Sequence, residues 1–291
     1  MSINGFFLID KPIGITSFDV LRKLRKILNQ KKMGHTGTLD PLATGALLVA
    51  VGNYTKLIPY FEKDIKEYVF QVALDGVTDS FDAETEVHYI SEKQQSHFRD
   101  QLKIEDIDKI LQERFSGEIE QVPPKYSAIK MGGRKALDMV RAGKEFEMKI
   151  RKVTIYEIEV LEFSYPYVTL RASVSAGTYI RSIAKDLGDI IGSGAYIKEL
   201  RRTKIGSLDI GVSQGLENFD MTKTLNEEIL FGKERFIELS DDIITKLNHG
   251  LTVRGDFDYE DNTDYFLRNK TGITNIITCE KPLLKPKKRI L

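Results

Sequence analysis

The segment Gly34-His-Thr-Gly-Thr-Leu-Asp-Pro-Leu-Ala-Thr-Gly45 concentrates residues that could do chemistry. Its three glycines, two of them beside threonines, permit a loop whose backbone N–H groups approach a ligand closely. A nucleoside-triphosphate loop would end in Gly-Lys-Ser/Thr, whereas Gly45 is followed by Ala46. Asp40 precedes Pro41, which biases it away from the right-handed helical region. A carboxylate held in a loop bounded by Gly and Pro can serve as a nucleophile or general base. It can equally bond its own backbone as an Asx turn, the commoner use of Asp in such a place. The local residues leave both uses open.

Other reaction classes lack their parts. His35, His88, His97 and His249 form no His-Glu-x-x-His pair, and neither a Gly-x-Ser-x-Gly elbow nor a Gly-x-Gly-x-x-Gly turn occurs. No metal and no nucleotide cofactor is therefore expected. The single cysteine, Cys279, excludes a disulfide framework and a Cys-x-x-Cys pair; it reads as a small hydrophobe in a reducing compartment. The N-terminal ten residues lack the basic start and long apolar stretch of a secretory signal. The apolar stretch 46–51 is far short of the roughly 20 residues that span a bilayer. A cytoplasmic protein with no membrane partner is expected.

Lys+Arg and Asp+Glu both total 43, so the net charge of zero excludes a uniformly basic nucleic-acid binder. The segments differ sharply. Residues 21–32 carry six bases and no acids, residues 125–152 nine bases against three acids, and residues 75–120 five bases against thirteen acids. RNA contact is expected on the two basic segments, with the acidic one turned away.

These groups must be positioned by regular elements. Ser17 can cap a helix with Val20, Leu21, Leu24, Ile27 and Leu28 on its apolar stripe and Arg22, Lys23, Arg25 and Lys26 outward. Tyr68, Phe70, Val72 and Leu74 alternate, as do Val168, Leu170, Ala172 and Val174, which predicts two half-buried strands. Ile104, Ile107, Ile110 and Leu111 mark a helix between them. Ile180, Ile183, Ala184, Leu187 and Ile191 mark another, closed near Gly192. No regular βαβ repeat is present, which favours α+β over a doubly wound sheet. A boundary is expected near 221–233, followed by a short helix (240–247), an acidic loop, a strand near 272–279 and a basic end.

Five segments in order, Lys11-Pro-Ile-Gly-Ile-Thr-Ser17, the Gly34–Gly45 block, Pro123-Pro-Lys-Tyr-Ser-Ala-Ile-Lys130, Gly177-Thr-Tyr-Ile-Arg-Ser182 and Leu200-Arg-Arg202, resemble the signature blocks of the TruB family, the tRNA pseudouridine-55 synthases. The resemblance spans roughly residues 3–210. Leu247-Asn-His-Gly250 and Leu284-Lys-Pro-Lys-Lys-Arg289 weakly resemble the small PUA RNA-binding domain that often follows.

The resemblance implies a mixed, mainly antiparallel catalytic domain over 1–222, with an RNA-gripping arm at about 123–152, and a small β-rich PUA-like domain over 233–291. It implies isomerisation of a T-loop uridine of tRNA, with the base flipped out, no cofactor and no required protein partner. Asp40 matches the aspartate nucleophile, which attacks the sugar or assists departure of the base. Arg181 matches its arginine partner, Tyr68 the tyrosine that stacks on the flipped uracil, Tyr179 and Leu200 pocket-lining residues, and His35 a histidine that enters the T-loop. Outside the family context Arg181 would pass for an exposed helix charge, and Tyr68, Tyr179 and Leu200 for ordinary core. The chain departs from the pattern at Leu137, where an arm tyrosine is usual, and at Val174, where a cysteine is common. Two rival readings share these motifs: a guide-RNA-dependent synthase of the dyskerin type, and a non-enzymatic tRNA-binding or folding protein.

Overall fold

The run Gly5-Phe-Phe-Leu-Ile-Asp-Lys11 is apolar at consecutive rather than alternate positions, the pattern of a strand covered on both faces. In the computed structural model, which describes residues 3–61 and 64–291, it forms strand β1 (Gly5–Lys11). Met1 and Ser2, where the catalytic region is expected to begin, lie outside the described residues. Phe7 and Ile9 enter one core, and Phe6 and Leu8 another on the opposite face.

Eight further strands complete the main sheet: β2 (Met33–His35), β3 (Thr44–Val51), β4 (Lys66–Ala73), β5 (Gly117–Gln121), β6 (Arg151–Ser164), β7 (Tyr167–Val174), β8 (Tyr196–Ile205) and β9 (Leu208–Asp209). The order is β1-β3-β8-β4-β7-β6-β5, with β2 paired to β3 and β9 to β8. All pairings are antiparallel except β3 with β8, where Arg201 lies opposite Thr44 and Arg202 opposite Gly45. The fold is α+β with a mixed, mainly antiparallel sheet, as the sequence led us to expect.

One face of the sheet is covered by three helices, α1 (Ser17–Ile27), α3 (Ile104–Arg114) and α5 (Ile180–Ile191). The intervening α2 (Glu92–Gln101) buries none of its residues, and the short α4 (Ala136–Arg141) buries only Ala136. In α1, Val20, Leu21 and Leu24 are buried as predicted, whereas Ile27, at the margin of the stripe, is 44% exposed. The cap is Thr16 rather than Ser17. Thr16 Oγ1 accepts from the Asp19 N–H at 3.0 Å, and the Asp19 carboxylate accepts from the Thr16 N–H at 3.0 Å, closing a capping box. Ser17 is thereby released for another task, described below. Helix α5 stops at Gly192, whose φ of +84° lies in the left-handed region that favours glycine.

The opposite face is covered by a 3-10 segment, Gly52–Phe61, and by a second sheet. That sheet comprises β10 (Val253–Arg254), β11 (Thr263–Asn269), β12 (Gly272–Glu280) and β13 (Leu283–Arg289), in the order β10-β13-β12-β11. Its Phe266, Ile273, Ile276 and Ile290 pack with Phe6, Leu8, Ala46 and Leu48 of the main sheet. Two tyrosines of the 3-10 segment secure the contact. The Tyr54 hydroxyl accepts from the Ile273 N–H at 2.8 Å, and the Tyr60 hydroxyl donates to Asp264 at 2.7 Å. The far side of the second sheet packs on a short helix, α6 (Asp241–Asn248), around a fully buried Cys279. No described helix is long and apolar enough to cross a membrane.

Candidate active site

Asp40 sits in a loop whose backbone carbonyls are held one by one. The Ser17 hydroxyl donates to Leu39 O at 3.0 Å and accepts from Leu39 N–H at 2.8 Å. The wholly buried Lys11 donates through Nζ to Pro12 O (2.9 Å), Ile15 O (2.7 Å) and Pro41 O (3.3 Å), and the Gly14 N–H also reaches Pro41 O at 2.8 Å. Arg202, buried, donates through Nη2 to Gly37 O at 3.1 Å and through Nε to Ala46 O at 2.6 Å. Asp40's own carbonyl accepts from the Ala43 N–H at 3.1 Å. With the backbone so pinned, the side chain is not spent on an Asx turn. It meets Arg181, with Oδ2 2.9 Å from Nη2.

Arg181 occupies the first turn of α5 and is held from several directions. Nη1 donates to Ser80 O at 2.9 Å, Nη2 donates to Tyr126 O at 3.0 Å, and Asp82 Oδ2 lies 3.2 Å from Nη1. Its side chain is 5% exposed and that of Asp82 1%, whereas Asp40 keeps 34%, facing a cavity. Asp82 is itself fixed: Ser80 Oγ donates to its Oδ1 at 2.6 Å, and the Glu84 N–H donates there at 3.0 Å. The preceding Phe81 has φ +63°, uncommon for a bulky residue.

The charges set one another's protonation. Burial pushes the Asp40 carboxyl above the usual carboxylate range; the Arg181 guanidinium opposes this, and the nearby Asp82 adds to it. Glu84 is raised chiefly by burial and then by Asp82 and Asp40. Lys11 is pushed down to about 8 by burial, against the pull of Asp40 and Glu84. His35 is lowered by burial and by the Arg202 charge, which favours the neutral imidazole.

Asp40, Tyr68, Tyr179, Arg181 and Leu200 line one cavity of about 340 Å³, together with Thr36, Gly37 and Ser127 among others. Tyr68 comes from β4, opposite Ala172 on one side and Arg202 on the other. Tyr179 caps α5, and the Gln121 side chain brackets its backbone, accepting from its N–H at 2.8 Å and donating to its carbonyl at 3.0 Å. His35, at the end of β2, does not line the cavity; its Nδ1 is buried without a partner. Five of the six singled-out residues thus converge, and the sixth, His35, is outside the cavity lining.

The arrangement can hold a flat, uncharged ring between an aromatic and an aliphatic side chain, beside a carboxylate and its guanidinium partner. Sequence reasoning missed Asp82, whose segment was read as acidic surface. Residues 75–120 do not all turn away, because Asp82 and Glu84 approach the Asp40 loop, where Glu84 Oε1 accepts from the Leu42 N–H at 3.0 Å. The structural tasks of Lys11, Arg202 and Gln121 also carried no periodic signal. Among the described residues, no group of three or more His, Cys, Asp or Glu side chains is placed to hold a metal ion.

Comparison with known proteins gives the family. The family model for TruB family pseudouridylate synthase (N terminal domain) matches residues 25–180, more than half of the chain. The chain belongs to the TruB pseudouridylate synthase family. It is 48% identical over 209 residues to the tRNA pseudouridine synthase B of Endomicrobium trichonymphae, covering 72% of this chain and 88% of that protein. It is 40% identical over 264 residues to the protein of the same name from Clostridium tetani (strain Massachusetts / E88), covering 87% and 86%. Among solved structures, a chain in an H/ACA RNP bound to a substrate RNA containing 2'-deoxyuridine superposes with a TM-score of 0.68 at 23% identity, covering 99% of this TruB-family chain and 85% of that one. A chain in a Cbf5-Nop10-Gar1 complex gives 0.67 at 24%. These two establish likeness of fold.

Proposed function

We propose that this TruB-family pseudouridine synthase isomerises uridine 55 in the T-loop of tRNA, with Asp40 as nucleophile. The observation that carries the reading is the Asp40–Arg181 ion pair, 2.9 Å across, in a cavity walled by Tyr68, Tyr179 and Leu200. The C1'–N1 bond of the nucleotide breaks, the uracil turns within the cavity, and a C1'–C5 bond forms; C5 gives up a proton and N1 takes one, so atoms balance without a redox partner. The Asp40 carboxylate meets the ribose as the base departs. Arg181 favours the ionised form of that carboxylate, opposing the larger effect of burial. Tyr68 stacks on the flipped base, Tyr179 and Leu200 wall it off from water, and His35 serves the displacement of the base from the T-loop. Extrusion of a stacked base costs a few kcal/mol, which phosphate and stacking contacts must offset.

Residues 1–222 are read as the catalytic domain and 233–291 as a PUA-like RNA-binding domain. The stretch 123–152, exposed over most of its length, with its two-residue hairpin strands Lys130–Met131 and Arg134–Lys135 and the short helix Ala136–Arg141, suits an arm that grips the T-stem and loop. Protein acting alone in the cytoplasm on free tRNA is the preferred form, because relatives of 48% and 40% identity carry the tRNA synthase name, whereas the likeness to RNP chains is at 23–24%.

The test uses purified full-length protein and an unmodified tRNA transcript with uracil tritiated at C5. Tritium release and pseudouridine at position 55 are expected from the wild type. Asp40→Ala should abolish both while retaining tRNA binding. Release by Asp40→Ala would remove Asp40 from the mechanism, and activity only with added guide-particle components would favour the RNP-type alternative.

A further inference from the structure

The stretch 123–152 leaves the main sheet at the end of β5 and returns at the start of β6, and its two feet, Gln121 and Arg151, face each other in that pairing. Gln121 is 2% exposed, and a buried primary amide costs stability unless its donor and its acceptor are both used. Here both are spent on one residue. Gln121 Oε1 accepts from the Tyr179 N–H at 2.8 Å, and Nε2 donates to the Tyr179 carbonyl at 3.0 Å. That carbonyl is already satisfied within α5, where it accepts from the Ser182 N–H at 3.1 Å and the Ile183 N–H at 3.3 Å. The second bond from Gln121 therefore adds placement to a group that the helix itself supplies with donors.

A helix commonly begins at a residue whose own side chain accepts from the first turn. Among the described residues, Tyr179 makes no such bond, so the start of α5 is located from outside the helix, by β5. The residues after Gln121 continue the contact. Val122 O accepts from Oγ of the fully buried Ser182 at 2.8 Å, and Tyr126 O accepts from Arg181 Nη2 at 3.0 Å. The chain from 121 to 126 thus holds the backbone at 179, the guanidinium at 181 and the hydroxyl at 182. Arg181 is the one of these that meets Asp40, and its side chain carries any shift of the first turn into the ion pair. A misplacement of about 1 Å at a reacting group is worth about 100-fold in rate.

We infer that Gln121 is a positioning residue for the reaction: by fixing the first turn of α5 to the root of the arm, it sets the Arg181 guanidinium against the Asp40 carboxylate. The inference rests on the catalytic reading above, to which it adds a residue outside the cavity lining. It also joins two parts of the molecule that sequence places far apart. The segment that starts the arm is the segment that seats the arginine, so the root of the arm and the nucleophile's partner move as one.

The test uses full-length Gln121→Met, which keeps the length of the side chain and removes both bonds to Tyr179. The charges that act on Asp40 are Arg181, Asp82 and Lys11, and of these Arg181 is the one bonded to the arm root. With Arg181 displaced, its support for the carboxylate weakens. The Asp40 carboxyl, followed by NMR of 13C-labelled aspartate and assigned with Asp40→Asn, should therefore titrate at higher pH than in the wild type. On an isolated T-arm hairpin, kcat should fall about 10- to 100-fold with KM within about twofold, and its acid limb should move up with the carboxyl. A lower melting temperature with kcat per folded molecule and the Asp40 titration both unchanged would overturn the inference. Should Gln121→Met not fold, Ser182→Ala, which deletes only the hydroxyl that meets Val122 O, is expected to raise the same titration and lower kcat about threefold. Wild-type values for both would overturn the inference equally. A wild-type protein that makes no pseudouridine, but whose Asp40 titration rises on Gln121→Met, would sink the functional reading and leave the positioning of Arg181 standing.

Discussion

Asp40 is the group whose protonation decides activity, and two neighbours push it in opposite directions. Burial and Asp82 favour the acid form, and Arg181 favours the carboxylate. Activity requiring the carboxylate is therefore lost as pH falls through a value above the ordinary carboxylate range. Arg181→Met should move this acid limb to higher pH, and it should also destabilise the fold by about 3–5 kcal/mol, because Asp82 would be left buried and uncompensated. Asp82→Asn should move the limb the other way while lowering plateau kcat/KM by about 10- to 100-fold through a looser Arg181. Profiles of kcat/KM against pH on the hairpin would read both shifts, and limbs moving together would refute the assignment. Asp40, Arg181 and the cavity walls were legible because contiguous motifs carry them. Asp82 was not, since its neighbours Asp79, Glu84 and Glu86 give it the look of acidic surface, and only the tertiary contact with Arg181 distinguishes it.

Among the elements, the turn bearing Asp40 depends on Lys11 at the end of β1. Between about pH 8 and its ordinary 10.5, the folded chain has released a proton that the unfolded chain still holds at this lysine. Stability contributed here accordingly rises with pH across that window. Lys11→Met should cost about 1–3 kcal/mol at neutral pH, because it strands carbonyls that the ammonium now satisfies. The gap between wild type and variant in urea unfolding should widen toward pH 10.5; a gap that narrows would contradict the account. In the arm, reversing the charges of the exposed Lys130 and Arg134 should weaken tRNA binding and flatten its salt slope by about 2 or more. Neutralising Glu118 and Glu120 should do neither, and equal weakening would redraw the RNA-facing side. Hydrophobic period located α1, α5 and the paired strands, but not which of two good capping residues, Thr16 or Ser17, would close α1. The choice is made by Asp19, which completes the box with Thr16, and by Leu39, which takes Ser17.

For the whole molecule, the second sheet is a wall of the main core. Phe6, Leu8, Leu48 and Ala50 are fully or almost fully buried beneath it and the 3-10 segment. A chain ending at residue 232 should expose that apolar face and lose solubility, and the full chain should melt in a single calorimetric transition. Two resolved transitions, or a soluble and active truncated chain, would show that the sheets fold independently. The continuous apolar runs of β1 and β3 suit strands buried on both faces, but periodicity says nothing of what supplies the second cover. Tyr54, Tyr60 and Phe266 could have been assigned to separate units just as well.

The single parallel pairing, β3 with β8, also sets a timetable. Thr44 and Arg201 are 157 residues apart, and the clamp from Arg202 onto Gly37 and Ala46 comes from the same late strand. With synthesis at roughly 5–20 residues per second, a ribosome needs roughly 10–30 s between the two strands. For most of that interval a nascent chain carries Asp40 without its arginine partner, and for all of it without the Arg202 clamp, so the nucleophile is made early and armed late.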